Sequence, residues 1–96
     1  LAGALRLQTV SREDRPVAAA ELRALHAYLR ATFPAVHGAL QVETVGELSL
    51  LYTWPGQEAT ARPYLLLGHQ DVVPVEAASE SKWTHPPFAG NLCQPC

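Results

Sequence analysis

His69 and Asp71 stand two residues apart at the end of an apolar run, in Tyr64-Leu65-Leu66-Leu67-Gly68-His69-Gln70-Asp71-Val72-Val73-Pro74. In extended backbone, residues at i and i+2 point to the same side, so imidazole and carboxylate can meet. An imidazole binds a metal through one ring nitrogen, and a nearby carboxylate can hold the N–H of the other, setting tautomer and ring angle. Gly68 lets the backbone approach a ligand closely. The spacing alone also fits a surface histidine beside an aspartate that caps the next turn, because short motifs recur by chance.

The second group with metal-binding chemistry is Cys93-x-x-Cys96. With His69 and His85 it would make a structural His₂Cys₂ zinc site. Thioredoxin-type chemistry is disfavoured, because no helix follows to lower a thiol pKa at its N-terminus. Otherwise the pair reads as two free thiols on a frayed tail. His26 falls on a helical stretch as a partly exposed residue, and His37 sits in a turn without a role. His85 shapes a cleft rim rather than acting as a ligand. Trp83 and Phe88 pack a loop or touch substrate. Glu76 and Glu80 lie in a solvated loop, unsuited to serve as a general base.

The elements that must position these residues can be read from periodicity. Leu1 to Val10 suits a short amphipathic helix. Ser11 to Pro16 resembles a helix start, with Ser or Asp as cap and Pro in the first turn. Ala18, Leu22, Leu25 and Leu29 then predict a helix from Val17 to about Thr32, ended by Phe33-Pro34. Leu40 to Val45 and Leu48 to Trp54 alternate as strands joined at Gly46-Glu47, which predicts a hairpin. Pro55 to Arg62 is a polar loop. Residues 63–68 predict a strand buried on both faces. The order gives an α/β fold, the N-terminal part of an α/β/α sandwich, with two helices, a hairpin and a buried strand. One long helix covers one face only, so the sandwich is expected to be incomplete.

Composition narrows the classes. The chain has 96 residues, enough for one small domain. Hydrophobic residues form 48% and charged residues 17%, which argues against disorder. A net charge of -2 predicts no attraction to nucleic acid. No apolar run reaches membrane-span length. Leu1-Ala2-Gly3-Ala4-Leu5-Arg6 has no Met and no basic leader, so it does not read as a signal peptide. It reads as an incomplete N-terminus.

Residues 64–74, followed by Trp83-Thr84-His85-Pro86-Pro87-Phe88-Ala89-Gly90, resemble the zinc metallopeptidase family that holds aminoacylase, carboxypeptidase S and N-fatty-acyl-amino-acid synthase/hydrolase. The likeness is nearest to the carboxypeptidase S branch, where an apolar strand enters G-H-x-D-V-V-P and W-x-x-P-P-F-x-G follows. Phe33-Pro34 and Leu51 to Gly56 extend it loosely, so that it covers about residues 3 to 90.

The resemblance implies that His69 is a ligand to one of two zinc ions and that Asp71 is the catalytic-site residue orienting it. It implies hydrolysis of an amide next to a free carboxylate, on a peptide or an N-acyl amino acid. The family also uses a metal-bridging Asp in a G-R-G-x-x-D-x-K stretch, glutamates further on and a distant His. Asn91-Leu92-Cys93-Gln94-Pro95-Cys96 does not match that continuation. The expectation is therefore residues 1–90 as a partial catalytic domain and 91–96 as a divergent tail, without activity alone. The alternative is a non-catalytic zinc-binding or interaction module using Cys93 and Cys96. By resemblance the compartment is secretory or vacuolar/lysosomal, with the cytoplasm left open; oligomeric state is not legible.

Overall fold

The structure is a computed structural model and describes residues 1–92. Its elements are α1 (Ala2–Leu5), α2 (Ala19–Thr32), α3 (Pro34–Ala39), β1 (Gln41–Val45), β2 (Ser49–Thr53) and α4 (Ala77–Glu80). The architecture is mixed α/β, with one two-stranded antiparallel sheet.

α2 is the organising element. Leu22 and Leu25, three apart on one helix face, are the buried apolar residues among those described. Glu21 in the first turn and Arg30 in the last complement the helix dipole. The helix begins at Ala19, two residues later than the pattern predicts, because Ser11 to Pro16 do not cap it. Ser11 is engaged elsewhere: its backbone N–H donates to the Val72 carbonyl at 3.0 Å. α2 ends as expected before Pro34, whose fixed φ then starts α3, a short helix that periodicity did not suggest.

α1 is likewise shorter than the predicted Leu1 to Val10. After Leu5 the chain turns, and Val10 forms an isolated parallel bridge with Val72. Thr9, only 4% exposed, is buried at this junction.

The hairpin is as predicted, with Gln41 opposite Thr53 and Val45 opposite Ser49. Its turn needs left-handed backbone at Gly46 (φ 57°) and at Glu47 (φ 69°), a region that favours glycine and strains glutamate. Tyr52 on β2 ties the hairpin to α3. Its hydroxyl donates to His37 Nε2 at 3.0 Å, while His37 Nδ1–H donates to the Phe33 carbonyl at 3.0 Å.

The buried strand expected over residues 63–68 is not formed. Tyr64 is 97% and Leu66 93% exposed, and the segment is irregular. A buried strand needs neighbours to take its backbone N–H and C=O groups and layers to cover both faces. The sheet here consists of β1 and β2 alone, and neither pairs with this segment. The radius of gyration is 16.9 Å, against about 12–13 Å for a compact domain of this length. Among the described residues, the fold consists of helices and one hairpin. No helix among them is long and apolar enough to cross a membrane.

With so small a core, Leu22→Ala is expected to remove about 2–5 kcal/mol. That is comparable to the stability such a fold can hold, so the helical circular-dichroism signal at 222 nm should fall without denaturant.

Candidate functional site

The segment from Gly68 to Val72 is held from below. Thr9 carries much of that hold: its hydroxyl donates to the Gln70 carbonyl at 2.8 Å, and its own carbonyl accepts the Val72 N–H at 2.9 Å. With the bond from the Ser11 amide to Val72, residues 9–11 grip 70–72 in a short parallel ladder. The side-chain contacts put His69 and Asp71 together on one side and Gln70 on the other, the alternation expected of an extended segment.

On the outer side, His69 Nδ1 lies 2.7 Å from the backbone carbonyl of Asp71 and 3.2 Å from its Oδ1. A carbonyl can only accept, so Nδ1 carries the proton. In the neutral ring Nε2 then holds the free lone pair. The His69 side chain is 84% exposed and that of Asp71 40%, so this lone pair faces open space. The backbone carbonyl of Asp71 is the nearer acceptor and its carboxylate the second.

The Asp71 carboxyl is made somewhat more acidic by its neighbours. Its pKa lies below the ordinary value of 3.8, chiefly because the Ser11 hydroxyl bonds to it. The Asp71 backbone amide and His69 act in the same sense, against a desolvation cost that opposes them. A depressed carboxyl pKa contributes stability above the unfolded value and loses it as pH falls through the folded one.

On the inner side, Gln70 Oε1 accepts from His26 Nε2–H at 2.9 Å, and Gln70 Nε2 donates to the Leu48 carbonyl at 3.3 Å. His26, expected to be a partly exposed helix residue, is half-buried on α2 and bonded to Gln70. Periodicity could not have found this contact, which spans 44 residues of chain. The alternation rule did carry a signal for Gln70: a residue flanked by two outward groups on an extended segment must point inward.

The other candidates lie apart from this pair. Residues 83–90 seat against α1, where Arg6 Nε–H donates to the Ala89 carbonyl at 3.1 Å. Gly90 (φ 63°) passes so close to the Ala2 carbonyl that any side chain would collide with it. Leu5, Trp83, His85 and Pro87 line an open hollow of about 330 Å³ there. Glu76 caps the exposed α4 and Glu80 ends it. Among the described residues, no three His, Cys, Asp or Glu side chains come together to hold a metal. Cys93 and Cys96 lie outside the described residues.

The relatives of this chain bear on what such a pair is for. It is 42% identical to carboxypeptidase S of Saccharomyces cerevisiae over 97 residues, which cover 95% of this chain and 17% of that protein. It is 43% identical to the probable carboxypeptidase S-like 2 of Dictyostelium discoideum, over 75% of this chain and 14% of that protein. The chain belongs to the carboxypeptidase S-like family. It is also 37% identical to the N-fatty-acyl-amino acid synthase/hydrolase of Bos taurus, over 94% of this chain and 18% of that protein. The relatives' names are those of carboxypeptidases and hydrolases, and the carboxypeptidase S-like chain spans less than a fifth of the length of each of these three. No family model and no solved structure matches it.

Ser11→Ala keeps the backbone bond to Val72 and removes the hydroxyl. A carboxyl ¹³C titration should then show the Asp71 pKa rising toward 3.8, and the variant should be less stable than the parent at neutral pH, with the difference vanishing as pH falls through the parent's folded value.

Proposed function

We propose that this chain carries one metal-ligating corner of a zinc-dependent hydrolase that cleaves an amide next to a free carboxylate. His69 is the ligand, through Nε2, and Asp71 is the residue that orients it. The observation that supports this most is the protonation forced on Nδ1 by the Asp71 carbonyl, which leaves Nε2 as a fixed, outward lone pair. The names of the relatives support the hydrolase class and two substrate types, peptides and N-acyl amino acids.

When bound, zinc would supply a water of lowered pKa and a polarised scissile carbonyl. The chain's own residues have a narrower task. The Asp71 carbonyl and carboxylate keep the proton on Nδ1, and the Ser11 hydroxyl lowers the pKa of that carboxyl. Residues 9–11 fix the backbone that carries both.

The donor set fits this group in part. A catalytic zinc takes three protein ligands, and the described residues offer one ligand with its orienter. Neither Glu76 nor Glu80 stands as a general base for the reaction. We therefore read residues 1–90 as part of a catalytic domain that needs further ligands, and expect these residues alone not to hydrolyse substrate.

Zinc titration of the purified chain, followed by calorimetry, tests the reading. Weak binding is expected, with a loss of about tenfold or more for His69→Ala and roughly 10–100-fold at most for Asp71→Ala. Replacing Cys93 and Cys96 by Ser should leave binding unchanged. Binding that survives His69→Ala and disappears with the cysteines would instead establish a structural zinc module.

A further inference from the structure

Gln70 lies between the two residues assigned to the metal, and its side chain points away from them. Its backbone carbonyl and both ends of its side-chain amide are nevertheless used. The backbone carbonyl accepts from Thr9, the amide oxygen from His26 on α2, and the amide nitrogen donates to Leu48 at the hairpin turn. The Leu48 carbonyl can only accept, so the amide nitrogen must face it and the amide oxygen must face His26. That in turn requires a proton on His26 Nε2. One residue thus ties its segment to three separate parts of the fold, two through its side chain and one through its backbone carbonyl, with a single consistent set of donors and acceptors.

The consequence falls on the outer side. The bond from His69 Nδ1–H to the Asp71 carbonyl closes over only two residues, and it depends on the peptide planes on either side of Gln70 keeping their orientation. The Thr9 hydroxyl holds the downstream plane through the Gln70 carbonyl, and upstream the segment is exposed and unpaired. Gln70 is the anchor that stops rotation at this point.

We propose that Gln70 and His26 are positioning residues for His69: by pinning the backbone between His69 and Asp71 to α2 and the hairpin, they hold His69 in the Nδ1–H form that leaves Nε2 free. The inference rests on the proposed role of His69 for its meaning. Its test needs no metal, so the two fail separately.

A side chain of leucine shape at position 70 removes both amide bonds and keeps the bulk. Glutamate keeps acceptance from His26 and loses donation to Leu48. Leucine at position 26 removes the donor from the helix side, and glutamine there restores one.

The experiment is ¹⁵N spectroscopy of the His69 ring in the metal-free full chain, at a pH where the ring is neutral. The parent chain should show mainly Nδ1–H. In Gln70→Leu and His26→Leu the ratio of Nδ1–H to Nε2–H should fall about fivefold, the change expected from losing one ordinary hydrogen bond. Gln70→Glu should fall between these and the parent, and His26→Gln should recover most of the parent ratio. Far-UV circular dichroism checks that α2 is intact; if Gln70→Leu does not fold, the His26→Leu and His26→Gln pair carries the test. Parent-like ratios in folded Gln70→Leu or His26→Leu would overturn the proposal, as would failure of His26→Gln to recover the ratio lost in His26→Leu.

Discussion

The hydrogen bonds by which residues 9–11 grip residues 70–72 are the constraint on which the rest depends. They join chain segments about sixty residues apart, and Thr9, at their centre, is the buried polar residue among those described. Its hydroxyl and its carbonyl are both used, so burial leaves no unsatisfied group there. Without these bonds the His69–Asp71 segment would be held only by the Gln70 side chain. With them, the pair stands over α2, and Gln70 completes the attachment from beneath.

The same constraint explains why the site is ordered where its surroundings are not covered. Tyr64 to Leu67 would need a strand on each side and a layer on each face, and the described residues supply neither. An apolar run of this composition carries its information in what must pack against it. The carboxypeptidase S-like relatives are far longer than this chain. The His69–Asp71 geometry is built from bonds within three residues and a short ladder, so it does not require that packing to exist. Local hydrogen bonding survives where long-range burial is missing.

How much of this was legible in the sequence depends on the range of the interaction. The body of α2 and the hairpin could be read because the spacing of Leu22 and Leu25 and the alternation around Val42 and Tyr52 are local signals. The stop before Pro34 was legible for the same reason, whereas the helix that Pro34 begins was not, because Val36 and His37 show no periodic face. His69 and Asp71 were legible through spacing two apart and through family resemblance. Ser11 was misread as a cap, since the partners that engage it, Asp71 and Val72, lie far along the chain. The His26 to Gln70 bond was illegible for that reason too. The strand over 63–68 shows the converse error: strong local β character does not make a strand where no neighbour pairs with it.

We propose that His69 offers Nε2 to a metal because Asp71 keeps the proton on Nδ1. The most direct measurement is the ¹⁵N spectrum of the His69 ring as zinc is added to the parent chain. The account predicts that the Nε2 resonance moves while Nδ1 keeps its proton and its bond to Asp71. Zinc bound through Nδ1, or zinc binding that leaves both His69 nitrogens unchanged, would contradict it.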